Sequence, residues 1–237
     1  MRVSFVIPCY QEAAALDAGV EALLALSADE LVFVDDGSTD GTASRLAAAA
    51  ERDPRVRVVT HARNRGVGAA MRSGFAAATG DVVVAYDADR TYPAADAARL
   101  VAAVRAGADV AAATPFAPGG VVKTTFLRGL LSRGASLAYR LAVGPRAGAV
   151  RTFTGGFRAY RRDLVAATPF RSDGFASTAE LLCLLLLRGA KVVEVPSTLT
   201  ARTEGVSKMR VGRTILGHLR VIARVANVRL GGKMTSP

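Results

Sequence analysis

Four times in the first half of the chain, a short run rich in β-branched residues ends in a polar cluster. Each time an alanine-rich stretch with helical spacing follows. Residues 3–7, 31–34, 56–60 and 81–86 are the runs, and 12–26, 42–52, 68–79 and 94–106 are the helical stretches, with a fifth run at 109–113. Strands alternating with helices of this length make βαβ units and a mainly parallel sheet covered by helices. Ligands of such sheets bind outside the carboxyl ends of the strands, and every polar cluster falls at such an end.

Residues 114–120, with two prolines and two glycines, read as a linker, and the charge changes sign there. Residues 1–119 carry 11 basic and 15 acidic side chains, whereas residues 120–237 carry 20 basic and five acidic ones. The second half reads as a helix at 126–143, a strand-like segment at 151–160, an apolar helix at 176–188, a strand at 192–195 stopped by Pro196, and a last helix at 211–230. A net charge of +11 asks for an anionic partner. Nucleic acid is excluded by the 6% aromatic content, the absence of tryptophan and the lack of any nucleic-acid motif. Cys9 and Cys183 lie in apolar runs and read as core residues, not as a disulfide framework. The longest apolar run, residues 181–187, is far shorter than a membrane span. The amino terminus lacks the features of a signal peptide. The expected location is cytoplasmic, peripheral at the cytoplasmic face of the membrane, with no transmembrane helix.

Asp87-Ala88-Asp89 directly follows a strand, so both carboxylates can reach one hard cation such as Mg²⁺ or Mn²⁺; a solvated turn would look the same. Asp35-Asp36-Gly37-Ser38-Thr39-Asp40-Gly41 is equally ambiguous alone, because its side chains could simply cap the next helix. In order along the chain, however, these segments join Pro8-Cys9-Tyr10-Gln11-Glu12 and Asn64-Arg65-Gly66-Val67-Gly68. Together they resemble the family 2 glycosyltransferases. Phe157-Arg158-Ala159-Tyr160, Ala179-Glu180-Leu181-Leu182, Val193-Glu194-Val195-Pro196 and Arg202-Thr203-Glu204-Gly205-Val206-Ser207-Lys208-Met209 narrow the resemblance to the branch of dolichyl-phosphate mannose synthase and related polyprenyl-phosphate sugar synthases.

The resemblance implies an α/β GT-A fold: a Rossmann-like, mainly parallel sheet flanked by helices, with a C-terminal amphipathic helix. It implies inverting transfer of a sugar from a nucleotide-diphosphate donor, GDP- or UDP-linked. Residues 1–118 would be the nucleotide-sugar half, 119–205 the acceptor half of the same catalytic domain, and 206–237 a basic amphipathic helix and tail. Pro8, Tyr10, Glu12 and Asp36 would line the nucleoside pocket, with Asp36 reading the base. Asp87, Ala88 and Asp89 would meet the diphosphate and its metal, a Lewis acid for the leaving group. Arg202, Ser207 and Lys208 would grip the acceptor phosphate; Arg158 would lie near the phosphates, and Arg128 and Arg133 on an acceptor-facing helix. Where many relatives place a glutamine as a further metal ligand, this chain has Thr91, so Thr91 or water would complete the site. A sugar nucleotidyltransferase is disfavoured, because no glycine-rich basic fingerprint follows the first strand.

A polyprenyl phosphate is already an anionic nucleophile and needs no general base, whereas a hydroxyl of a small molecule or glycan needs one. Acids are scarce in the second half, and Glu180, opening an apolar helix, is the base candidate if one is required; a structural ion pair is its other reading. That scarcity favours the phosphate acceptor, and a soluble enzyme acting on a hydroxyl is the alternative. In residues 211–230, Ile215, Leu216, Leu219, Ile222, Val225 and Ala226 share a helical stripe, with Arg213, Arg220 and Arg224 largely off it. Such a helix can lie in a membrane interface or dock on its own core. His218, without a second metal-like neighbour, reads as an ordinary helix residue.

Overall fold

The computed structural model describes residues 1–89, 91–123, 126–200 and 211–232. Its elements run β1 (Val3–Cys9), α1 (Ala13–Leu24), β2 (Glu30–Asp35), α2 (Thr42–Arg52), β3 (Val56–Thr60), α3 (Val67–Ala77), β4 (Val82–Ala85), α4 (Asp96–Arg105) and β5 (Val110–Thr114). Then follow β6 (Val121–Lys123), α5 (Phe126–Val143), a 3-10 turn at Gly144–Ala147, β7 (Arg158–Arg161), α6 (Arg162–Ala166), α7 (Ser177–Leu187), β8 (Val192–Pro196), β9 (Thr198–Thr200) and α8 (Val211–Arg229). Seven strands form one sheet in the order β3-β2-β1-β4-β7-β5-β8, and β6 pairs with β9 beside it. Only β7 runs antiparallel to its neighbours in the large sheet. Because β7 lies between β4 and β5, the acidic and basic halves of the chain share one sheet.

Both faces of the sheet are covered, which is why its strands read as nearly continuous apolar runs. Along β1, Phe5 and Ile7 face the layer of α1, α2 and α4, while Val6 faces the layer of α3, α5, α7 and α8. Val32 and Val34 of β2 and Val83 and Ala85 of β4 follow the same two-residue alternation. Cys9 and Cys183 are free and buried, as small core residues.

Three readings change. The expected strand at 151–160 shrinks to Arg158–Arg161. The amides of Arg151 and Thr152 donate to the Glu194 carboxylate, and that of Phe153 to the Ser136 hydroxyl, so side chains replace a neighbouring strand as partners. The 114–120 segment does not separate two bodies. Thr114 completes β5, fully buried, and its hydroxyl meets Thr152 and the Phe116 amide. The last helix is divided along its length. Val221 and Val225 are buried in the core, while Ile215, Leu216 and Leu219 are about half exposed, at 47%, 46% and 57%. His218 is a packing residue, its Nδ1 2.7 Å from the Tyr139 hydroxyl, and burial holds its pKa below the ordinary histidine value. Among the described residues no helix is long and apolar enough to cross a membrane.

Candidate active site

The site is fixed by the order of the strands. Parallel neighbours β1 and β4 send the chain in opposite directions, β1 towards β2 and β3, β4 towards the far side of the sheet. A crevice opens at the carboxyl ends where such a reversal occurs. Residues 8–12 after β1, 35–42 after β2 and 86–92 after β4 therefore converge.

The first two of these loops are laced together. Gln11 holds a left-handed backbone (φ 55°), uncommon for a residue with a side chain. Its amide donates to Ser38 Oγ at 3.0 Å, its Nε2 to Thr39 Oγ1 at 3.1 Å, and its Oε1 accepts from the Thr39 amide at 2.8 Å. The Glu12 amide donates to Thr42 Oγ1, and the Ala13 amide to Asp40, whose other oxygen accepts from the Thr42 hydroxyl at 2.6 Å. Burial pushes the Asp40 carboxyl up, but these donors outweigh it and hold it below the usual carboxylate range. Tyr10 is half-buried and Glu12 nearly buried on this shelf, next to Pro8 in β1.

Asp36 is buried, with 2% of its surface exposed, and it is saturated. Oδ1 accepts from His61 Nδ1 at 2.6 Å and the Arg65 amide at 3.0 Å, and Oδ2 from Asn64 Nδ2 at 2.9 Å and the Gly66 amide at 2.7 Å. A carboxylate offers about four lone-pair sites, and all are engaged. Asp36 thus clamps the 61–66 loop; contact with a base would displace one of these partners, and Asn64, whose side chain is at the surface, is the accessible one. His61 is held from its other side by Ser73 Oγ at 2.8 Å; because an ionised carboxylate only accepts, Nδ1 is the donor to Asp36. The glycines of the motif have steric causes. A Cβ on Gly66, at φ 97°, would lie 2.4 Å from the Asp173 carbonyl oxygen, and one on Gly68 would lie 2.0 Å from that of Ser172.

Asp87 and Asp89 are half-buried on the turn after β4, with Ala88 buried between them. The Thr91 amide donates to Asp89 Oδ1 at 3.2 Å, and the Thr91 carbonyl accepts from both the amide and the hydroxyl of Thr200 at 3.0 Å. Gly156 closes over Asp87: a Cβ there would sit 3.5 Å from Asp87 Oδ2. Among the described residues no group of three His, Cys, Asp or Glu side chains is placed to hold a metal. Asp87 and Asp89 are the carboxylates here that could hold a divalent cation, with phosphate oxygens and Thr91 or water to complete it, as Mg²⁺ and Mn²⁺ accept oxygen ligands.

Two expected site residues lie inside the fold. Arg158 is 1% exposed, and its guanidinium donates to the carbonyls of Thr178 at 2.6 Å, Phe153 at 2.7 Å and Thr152 at 3.3 Å. From inside the fold it braces the 152–153 loop and the start of α7. Glu180 is also 1% exposed; it accepts from the Arg171 and Ser172 amides and from Arg224 Nη1 at 2.5 Å. Its charge ties α7 to the 171–172 loop and to α8. Arg133 is exposed on α5 and stacks on the Phe116 ring, 4.9 Å from its centroid. Arg128 belongs to α5, its side chain lying outside the described residues, as do Arg202, Ser207 and Lys208; the described chain enters that segment from Thr200.

The residue sequence reasoning missed is His61. It follows β3 directly, and the register pairing Thr60 with Asp35 sets it beside Asp36. The signal was present in the parallel pairing of two adjacent predicted strands.

The profile of the Glycosyl transferase family 2 family matches residues 4–168. Dolichol-phosphate mannosyltransferase of Pyrococcus furiosus is 34% identical over 231 residues, 95% of this chain and 64% of the relative's own length. Polyprenol monophosphomannose synthase of Mycolicibacterium smegmatis is 37% identical over 187 residues, 76% of this chain and 69% of the relative. In three dimensions the chain is similar to glucosyl-3-phosphoglycerate synthase of Mycobacterium tuberculosis, solved with Mn²⁺, UDP and phosphoglyceric acid. The TM-score is 0.72 at 23% identity, covering 99% of this chain and 80% of that one, which shows the shared GT-A fold. With the switch-point crevice and its paired aspartates in place, these likenesses make the chain a member of the family 2 glycosyltransferases.

Proposed function

We propose that the chain transfers a sugar, with inversion, from a GDP- or UDP-linked donor to a polyprenyl phosphate. The observation that carries this reading is the disposition of the second-half acids. Asp163 pairs with Arg161, Asp173 with Arg72, Glu180 with Arg224, and Glu194 holds the Arg151 and Thr152 amides. Each of these four described acids is engaged in such a pairing, the fifth, Glu204, lying outside the described residues, and a hydroxyl acceptor would need a base within hydrogen-bond reach of its proton. A phosphate monoester needs no such group. The relatives named above for dolichol-phosphate and polyprenol substrates point the same way.

In this reading Pro8, Tyr10 and Glu12 line the nucleoside shelf, and Asp36 with Asn64 shapes its floor. Asp87 and Asp89 orient the donor diphosphate, with Ala88 packing beneath it. A divalent cation between those carboxylates, Mg²⁺ or Mn²⁺, supplies charge neutralisation to the departing diphosphate when bound. Arg202, two residues beyond the Thr200 that anchors Thr91, together with Ser207 and Lys208, would hold the acceptor phosphate. Arg133, and Arg128 on the same helix, would add positive charge along its approach.

A membrane surface supplies the acceptor. Leu130, Leu131, Leu137 and Leu141 of α5 are 55%, 51%, 59% and 68% exposed, and α8, which packs against α5, adds Ile215, Leu216 and Leu219. Apolar faces of this size flanked by arginines fit a helix pair lying in a membrane interface.

The test is nucleotide release from GDP- and UDP-sugars with Mg²⁺ or Mn²⁺. Release should rise on adding polyprenyl phosphate and stay at its basal rate with the corresponding polyprenol. Equal stimulation by the alcohol would refute the reading.

A further inference from the structure

At the pole opposite the crevice, the carboxyl ends of three helices meet. α5 ends at Val143, α7 at Leu187 and α8 at Arg229, and they surround a cleft of about 320 Å³. Three arginines line it from three separate elements: Arg146 from the 3-10 turn, Arg188 from the end of α7, and Arg229 from the end of α8. Each gives hydrogen bonds to neighbouring oxygens. Arg146 donates to the Leu187 carbonyl, Arg188 to the Ala167 carbonyl and the Thr168 hydroxyl, and Arg229 to the Leu141 carbonyl at 3.0 Å. Cations capping helix carboxyl ends are ordinary, and capping accounts for those bonds.

It does not account for the cleft or for the convergence. A guanidinium has five N–H donors, so each of the three keeps donors beyond its cap. Among the described ion pairs none joins these arginines to a carboxylate. All three are exposed, so an anion in the cleft can reach the donors their caps leave over. The backbone is shaped to bring Arg229 in: Gly144 has φ 70°, and a Cβ there would lie 2.4 Å from the Arg229 guanidinium carbon. The remaining walls, Val143, Pro145, Leu187 and Val228, are apolar. A cleft of this size lined by three arginines and by apolar side chains suits an amphiphile with a phosphate head. It also opens at the end of the exposed apolar face, because Leu141 (68% exposed) and Leu230 (83% exposed) flank Arg229.

We propose that this cleft binds the phosphate head of an anionic phospholipid, as an anchoring site separate from the sugar-transfer crevice. The assignment rests on the membrane-interface reading of α5 and α8 only for the source of the phosphate.

The experiment uses the full chain and vesicles of phosphatidylcholine with and without phosphatidic acid. Wild-type protein should bind the phosphatidic acid vesicles more tightly, and Arg188→Gln with Arg229→Gln should weaken that binding about ten-fold or more, since both lose charge-assisted hydrogen bonds to the phosphate head. Arg213→Gln with Arg220→Gln removes the same charge from α8 and should weaken it distinctly less. Equal losses in the two double variants would reduce the effect to net charge and overturn the site. A lowered melting temperature with unchanged lipid binding would leave the arginines as helix caps only and also overturn it. Inorganic phosphate alone should show no saturable binding at millimolar concentration; binding abolished by the cleft variants would reassign the site to free phosphate. Transfer to detergent-solubilised polyprenyl phosphate should be unchanged in the cleft variants. Failure of the sugar-transfer reading would appear instead as no transfer by the wild type.

Discussion

The loops at the switch point and the basic half of the chain put their charge to different uses. On the nucleotide side, carboxylates gather backbone amides: Asp36 takes those of Arg65 and Gly66, and Asp40 those of Ala13 and Thr42. In the basic half, guanidinium groups gather carbonyls, beside the amides that Glu180 and Glu194 hold. Arg158 takes three, and Arg140, Arg146, Arg188 and Arg229 each take one at or near a helix or loop end. Much of the basic half's charge therefore closes the fold. The carboxylates at the switch point, by contrast, sit on short turns where a ligand can approach. Net charge counts both kinds of group alike, which makes it a poor guide to where an anion binds.

The largest test of this contrast is Asp89→Ala. Transfer should fall by about 10³-fold or more, as removal of the principal charge-stabilising group does elsewhere, while far-UV circular dichroism and the melting temperature stay near wild type. EDTA should produce the same loss, and Mn²⁺ or Mg²⁺ should reverse it. Retained transfer in EDTA would break the nucleotide-side half of the contrast.

Arg158→Ala should act in the reverse manner. Three carbonyls around the buried guanidinium lose their donor, and an unsatisfied buried polar group costs about 1–3 kcal/mol. Unfolding in urea should show a loss of about 3 kcal/mol or more. A stable Arg158→Ala protein with poor transfer would return this arginine to the phosphates.

Glu180→Gln sharpens the same point on the acidic side. It weakens a buried pair with Arg224 and should reduce stability by about 1–3 kcal/mol, leaving the turnover of folded protein within a few-fold of wild type. A collapse in kcat at unchanged stability would identify Glu180 as a base and bring back the hydroxyl acceptor.

Two pH effects are smaller. Asp40 titrates below its unfolded value, so its contribution is present above about pH 4 and fades as the pH falls towards its folded pKa. His218 is likewise depressed, by burial. The unfolded chain takes up its proton first, and stability should decline as the pH drops below about 6.5. His218→Gln should remove that part of the acid sensitivity, read as the shift in melting temperature between neutral and mildly acid buffer.

The sequence made the first half legible because its determinants are local. Each strand, polar cluster and helix lies within about 30 residues, and the motifs at 35–41 and 87–89 fall where the alternation ends. The second half hides its determinants in long-range packing. Arg158 reads as a cation near the phosphates until β7 is known to enter the middle of the sheet. Glu180 reads as a helix-start acid until α8, 44 residues later, supplies Arg224. The glycines at 155–156 and the side-chain partners of 151–153 likewise disguise a loop as a strand. α8 was half legible: its apolar stripe was visible, but Val221, outside that stripe, helps to anchor it.

The central claim is that the acceptor is a lipid phosphate that needs no protein base. It is tested most directly by following labelled sugar from the donor into product, with polyprenyl phosphate and a panel of water-soluble hydroxyl acceptors offered together. The account predicts label in the organic-extractable fraction, dependent on Asp87 and Asp89 and on divalent metal. Label confined to water-soluble products would contradict it.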